Sequence, residues 1–204
     1  MEHRLANVEQ EKRDRIINSA MKEFSTHTFQ KASTNAIVEE AGISKGLLFH
    51  YFGNKEKLYN YLEGFSFEVI ATSILEKMDW DNEDIFIRLK EVTMIKLETF
   101  QRYPYLADFS LLLFKDKSVE DIMQGHPNFP LQLYAEVYTK NINYGLFKDH
   151  LEVEKAVNII RWTIEKYSDE LRRKIEQGIM EFEQSEIEKE IFSYIDILRE
   201  SFYK

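Results

Sequence analysis

A chain of 204 residues, 44% hydrophobic and 31% charged, is long enough to bury a sizeable core in one or two domains. It has no cysteine, which excludes a disulfide framework and thiol catalysis, and no apolar run near the roughly 18 residues that a membrane helix needs. The net charge of −9 argues against nucleic acid until its distribution is read: residues 1–60 hold nine Lys/Arg against eight Asp/Glu, +1, and residues 61–204 hold 18 against 28, −10. Local charge on a docking face decides phosphate binding, so the first part of the chain stays open to DNA while the acidic remainder discourages non-specific sticking.

The N-terminus, MEHRLANVEQEKRDR, contains no apolar signal core, and a cytoplasmic location is expected. Three prolines and seven glycines in the whole chain favour long helices over a loop-rich sheet protein. A helix is predicted from about Glu11, with Ile17, Ala20, Met21 and Phe24 as its apolar stripe. Arg13 and Arg15 lie off that stripe, where they either approach phosphates or are simply solvated. Thr26 to Ala32 is a connection in which Phe29 is expected to plug the core.

The stretch that follows, TNAIVEEAGISKGLLFHYF from Thr34 to Phe52, reads as two short helices around a tight turn. Thr34, Ile37, Val38 and Ala41 share one face of the first. Gly42 supplies the left-handed residue that ends it, Ile43 turns back to the core, and Ser44 caps the second by accepting a backbone N–H bond. In that second helix Leu48 and Phe52, with Tyr51, form the buried side; Gly46, Phe49 and His50 point the other way, and Lys45 lies exposed in the first turn. Helix, glycine turn and a second helix with a bare polar and aromatic face is the helix-turn-helix layout, whose second helix enters a DNA major groove.

Gly53-Asn54 closes that helix, and Asn54 can cap the next, in which Leu58, Leu62, Phe65 and Val69 run at helical spacing to about Met78. Apolar residues on its other sides predict burial between neighbours, and its place in the chain makes it the natural lever between the first 54 residues and the rest. MDWDNED is a polar break in which Asp81 or Asn82 is the expected cap for a helix over about 83–102. Tyr103-Pro104 ends that helix, and a short one follows through Phe114. A less regular piece at 118–127 leads to a helix over about 130–147 starting at Pro130. Two long helices close the chain. Val153, Val157, Ile160, Ile164, Tyr167, Leu171 and Ile175 mark the first, and Ile187, Ile191, Tyr194, Ile195, Leu198 and Phe202 the second. Such sustained stripes suit a helix bundle, either inside one subunit or between two copies.

The run STNAIVEEAGISKGLLFHYFGNKEKLY closely resembles the DNA-binding segment of the TetR family of bacterial transcriptional regulators, through AGISKG, LLFHYF and NKEKL in order and without gaps. With the preceding helix the likeness covers about a quarter of the chain. It departs from the family at Thr28, where a glycine is usual before the aromatic, here Phe29. The resemblance implies an all-α protein of about nine helices: a helix-turn-helix DNA-binding domain over residues 1–54 and a larger regulatory domain over 55–204 that binds a small effector and dimerises through its last two helices.

DNA recognition needs phosphate anchors and base readers. Lys45 can donate to guanine or phosphate, His50 to a base acceptor or phosphate, and Leu47 and Phe49 can pack on thymine methyls. Gly46 lets the backbone come close, Tyr51 offers a hydroxyl to phosphate, and Lys55 is a phosphate anchor at the start of the fourth helix. Thr34 and Asn35 open a helix whose N–H groups and dipole attract a phosphate. These positions match those that touch DNA in the family.

Nothing in the sequence supports catalysis: it contains no GxSxG, phosphate-cradling glycine loop or HExxH. His3, His27, His50, His126 and His150 are scattered, so no metal and no cofactor is expected. Phe65, Met94, Phe109, Tyr134, Tyr138 and Trp162 are compatible with a shell around an apolar effector, and equally with simple core packing. The expectation is therefore a cytoplasmic, dimeric repressor that leaves a palindromic double-stranded operator when a small, largely apolar effector binds. The competing readings are an all-α ligand-binding protein or enzyme with a structural helix-turn-helix, and an activator or effector-independent DNA-binding protein.

Overall fold

The structure, a computed structural model, describes residues 8–116, 131–180 and 183–204. The expectations for the extreme N-terminus, the 118–127 piece, the helix start at Pro130 and His126 fall outside the described residues. Those residues contain nine α-helices: α1 (Gln10–Thr26), α2 (Thr34–Ala41), α3 (Lys45–Phe52), α4 (Lys55–Lys77), α5 (Ile85–Arg102), α6 (Leu106–Asp116), α7 (Leu131–Thr139), α8 (Val153–Glu176) and α9 (Gln184–Phe202), with a 3-10 turn at Tyr144–Leu146. The all-helical expectation holds, and no described helix is long and apolar enough to cross a membrane.

The chain divides into two compact units, Met1–Ile70 with Glu98–Phe129, and Ala71–Leu97 with Pro130–Lys204. Two of the divisions fall inside helices, at Ile70–Ala71 in α4 and at Leu97–Glu98 in α5.

In the first unit, α1 buries Ile16, Ile17, Ala20, Met21 and Phe24, the stripe read from its sequence plus one residue. It packs against both α2 and α6. Each such side chain taken fully from water is worth about 1.5–3 kcal/mol. Aromatic rings make up much of this core: Tyr59 stands edge-on to Phe24 (5.1 Å) and to Phe109 (5.4 Å). Phe29 does not plug the core as expected. It is 37% exposed and lies flat against Phe24 with ring centroids 6.0 Å apart, covering the edge of the core. Thr28, at the position where the family places glycine, is not among the described non-glycine residues with positive φ, of which Asn141 is the single case. A backbone in an ordinary region tolerates a β-branched residue, so the departure costs the fold nothing.

In the second unit α5 starts at Ile85, and its cap is Asp84 rather than Asp81 or Asn82. The Asp84 carboxylate accepts from Phe86 N (2.9 Å) and Ile87 N (3.3 Å), while Asn82 Oδ1 accepts from Asp84 N (3.0 Å). The sequence carries three cap-competent residues between positions 81 and 84, and packing selects the last: Asp84 is buried and also pairs with Arg199 at 2.6 Å. Arg88, one turn on, is fully buried and donates to the carbonyls of Trp80 (2.7 Å), Asn82 (2.5 Å) and Lys140. The helix expected over 130–147 ends at Thr139, because the chain turns at Asn141 (φ 56°). The C-terminus closes on this region through Lys148 N to Phe202 O (2.9 Å) and Lys204 N to Leu146 O (3.0 Å). In α9, Ile187, Ile191, Ile195 and Leu198 are buried, so most of its predicted stripe is used inside the subunit. Phe202 is half-buried, and Tyr194 is 39% exposed. Its ring meets Tyr167 of α8 at 5.3 Å, beside the Tyr167 hydroxyl bond to Glu190 (3.2 Å).

Candidate nucleic-acid interface

The turn between α2 and α3 is built as its residues demand. Gly42 has φ 65° with no atom within 4 Å of where a Cβ would stand, so backbone conformation, and not space, requires glycine. Ile43 N returns to Val38 O at 3.0 Å, and its side chain packs on the core. Ser33 and Ser44 cap the two helices: each hydroxyl accepts a backbone N–H three residues on, from Ala36 (3.3 Å) and Leu47 (3.2 Å). Such caps contribute about 1 kcal/mol each.

Helix α3 is thereby pinned at its start and held along one side by Leu48 and Phe52, both buried. On the remaining surface Lys45, Gly46 and His50 are exposed, and Leu47, Phe49 and Tyr51 are half-buried. The Lys45 ammonium lies 5.9 Å from the Phe49 ring centroid, and the His50 ring stands 5.7 Å from Tyr51. Cationic and aromatic groups thus share one helix surface, with glycine where a backbone approach is needed. Tyr51, expected on the buried side, packs against the core while keeping part of its surface in solvent.

Two elements flank α3. Thr34 and Asn35 form the first turn of α2, half-buried and exposed respectively. Glu23 of α1 reaches the same end and accepts from Ser33 N at 2.7 Å. A carboxylate there uses the dipole field that a phosphate would otherwise meet alone. At the start of α4, Asn54 Oδ1 caps by accepting from Lys57 N at 2.8 Å, as expected. Lys55 is half-buried; its ammonium donates to Ala32 O (2.5 Å) and Gln30 O (3.4 Å) and sits 4.9 Å over the Phe29 ring. It therefore ties the α1–α2 connection to α4, a role the sequence did not signal, since carbonyl acceptors leave no mark on residue type. Arg15, considered as a phosphate contact, pairs with Glu11 at 3.1 Å.

The aromatic residues named as a possible effector shell fall in both units. Phe65 stands edge-on to Tyr103 (4.9 Å) and Phe109 is fully buried, both within the first unit. Met94 and Trp162, in the second, are 36% and 56% exposed. Tyr138 of α7 is half-buried, and burial raises the pKa of its phenol, which stays protonated. The Tyr134 side chain lies outside the described ones.

Residues 16–62 match the family described as bacterial regulatory proteins, tetR family. Among curated proteins the chain is 30% identical over 95 residues to the HTH-type transcriptional repressor AcnR of Corynebacterium efficiens, a match spanning 47% of this chain and 45% of that one. It is 24% identical over 157 residues to the probable acrEF/envCD operon repressor of Escherichia coli K12, covering 72% and 70% of the two chains. Among solved structures, the TetR family regulator PfmR from Thermus thermophilus is similar with a TM-score of 0.60 at 17% identity, over 91% of this chain and 94% of that one; at that identity the likeness establishes the fold. The chain spans just under half of the first of these curated relatives, and the residues that match the family model, 16–62, include the helix-turn-helix whose geometry is described above. Motif, fold and relatives thus agree on a likeness to the tetR family of bacterial regulatory proteins, whose model matches residues 16–62.

Proposed function

We propose that this chain is a sequence-specific DNA-binding transcriptional regulator, acting as a dimeric repressor on a palindromic operator. The observation that carries the reading is α3, capped by Ser44, anchored inward by Leu48 and Phe52, and turned outward with Lys45 and His50 exposed. In this reading Lys45 and His50 meet base edges or phosphates, Leu47 and Phe49 meet thymine methyls, and Gly46 allows close approach. Thr34, Asn35, Tyr51 and Lys55 face the phosphates on either side. Residues 1–54 act as the reading head and residues 55–204 as the regulatory part.

Two copies pair through α8 and α9. Exposed apolar side chains there support this: Ile159 and Trp162 on α8, Tyr194 and Ile197 on α9. Pairing sets two α3 helices about one helical turn of DNA apart, ~34 Å or a little more. A small, largely apolar effector bound among the helices of the regulatory part changes that spacing and releases the operator. Full release, from 99:1 to 1:99, needs ~5.5 kcal/mol of differential affinity.

The test is a gel shift of the full chain on the DNA upstream of its own gene, repeated over a salt series. A specific, salt-sensitive complex is expected; its absence on every palindrome in that region overturns the reading. Transcript levels with and without the gene separate a repressor, whose loss raises them, from an activator.

A further inference from the structure

The sequence assigned the connection between reading head and regulatory part to α4. The contacts single out a second connection, at the C-terminal end of α5. Three residues of α1 at four-residue spacing, Gln10, Asp14 and Asn18, all hold the same residue, Arg102, the last of α5. Asp14 Oδ2 accepts from Arg102 Nε at 2.8 Å, and Asp14 Oδ1 accepts from the neighbouring Tyr103 hydroxyl at 2.7 Å. The Asn18 amide donates to Arg102 O at 3.0 Å. The Gln10 amide oxygen, in the orientation that satisfies both groups, accepts from Arg102 Nη1 at 2.9 Å and from Nη2.

This is a grip on both ends of one residue. Its guanidinium is held by an amide and a carboxylate, and its carbonyl, one of the last-turn carbonyls that a helix leaves without a partner, is held by another amide. The spacing of four puts all three α1 residues on one row. That row borders the buried stripe by which α1 packs on α2, and α2 leads through Gly42 directly to α3. On the other side, α5 enters the first unit at Glu98 after starting in the second. Any shift or rotation of α5 along its axis therefore reaches Arg102 without an intervening loop.

We propose that the Gln10–Asp14–Asn18 row is a clamp that couples α5 to the DNA-reading helices, with Arg102 as the positioning residue through which displacement of α5 is passed to α1. The inference rests on the DNA-binding reading and names how that site is regulated. Arg102 touches no DNA in this scheme. Its loss frees α1 from the fixed pose but removes no phosphate contact.

The test uses the full chain and a duplex selected by the wild-type protein from a random-sequence DNA pool. Arg102→Met is expected to weaken binding about tenfold or more, within the ordinary range of coupling between sites, with the salt slope unchanged. The exchanged pair Asp14→Arg with Arg102→Asp is expected to recover most of the loss. Hydrogen exchange without DNA is expected to quicken in α1 of Arg102→Met while α8 and α9 stay as protected as in the wild type. Arg102→Lys, which keeps the charge but not the planar fork, is expected to be intermediate and serves if Arg102→Met does not fold. Wild-type affinity in both single variants, a changed salt slope, or no recovery in the exchanged pair overturns the clamp. If the wild-type chain selects no duplex, the DNA-binding reading fails instead, and the exchange measurement still decides whether the grip on α1 exists.

Discussion

The two ends of α5 are held by different chemistry. At its start most bonds run to backbone: Arg88 grips three carbonyls, Asp84 caps two N–H groups besides pairing with Arg199, and the Tyr203 hydroxyl accepts from Ile85 N at 3.2 Å. At its end the partners are mostly side chains, and the Arg102 side chain is 42% exposed. A guanidinium sunk among carbonyls cannot leave without stranding them, so it fixes one arrangement. An ion pair in contact with water exchanges partners at small cost. One helix therefore has an end fixed at high cost and an end held at lower cost.

The contrast is open to direct measurement. Arg88→Met is expected to have the largest effect, a loss of ~3–5 kcal/mol in urea unfolding, because three carbonyls lose the buried donor they share; a cost under about 1 kcal/mol breaks the comparison. Asp84→Ala removes a helix cap and the Arg199 partner together and should cost ~1–2 kcal/mol by the same assay.

Tyr203→Phe should cost ~1 kcal/mol near neutrality, leaving Ile85 N without an acceptor, and it should also change the alkaline limb. Burial, and then the nearby Asp84 carboxylate, push the Tyr203 phenol from 10.0 up to about 12. A raised phenol contributes stability that is complete below pH 10 and is lost as pH climbs towards about 12. Urea midpoints across the alkaline range should fall less steeply in Tyr203→Phe. Tyr167, also raised to about 12, leaves a residual slope.

Arg102→Met should have the smallest effect on stability, under about 1 kcal/mol, since its pair with Asp14 is partly exposed. A stability loss equal to that of Arg88→Met would make the two ends of α5 equivalent and remove the basis for the comparison.

Helix α3 and its supports were legible because they are local. Ser44, Gly42, Leu48 and Phe52 act within eleven residues of one another, and cap, turn and buried face each demand a residue type. The position of Phe29 was not legible: whether an aromatic fills a core or covers its edge depends on what else fills it, here Phe24, Tyr59 and Phe109. Among the acidic and amide residues before α5 the sequence named two plausible caps and missed Asp84, because the choice was made by Arg199 and Tyr203, more than a hundred residues away.

From the sequence alone follow the helical class, the helix-turn-helix, and the outward turn of Lys45 and His50, because periodicity and turn chemistry act over one or two turns of chain. Only the tertiary structure decided that Lys55 spends its ammonium on the carbonyls of Gln30 and Ala32, and that Gln10, Asp14 and Asn18 close on Arg102. The reason is that a backbone carbonyl is the same acceptor in every residue, and a polar row on a helix names no partner until folding brings one to it.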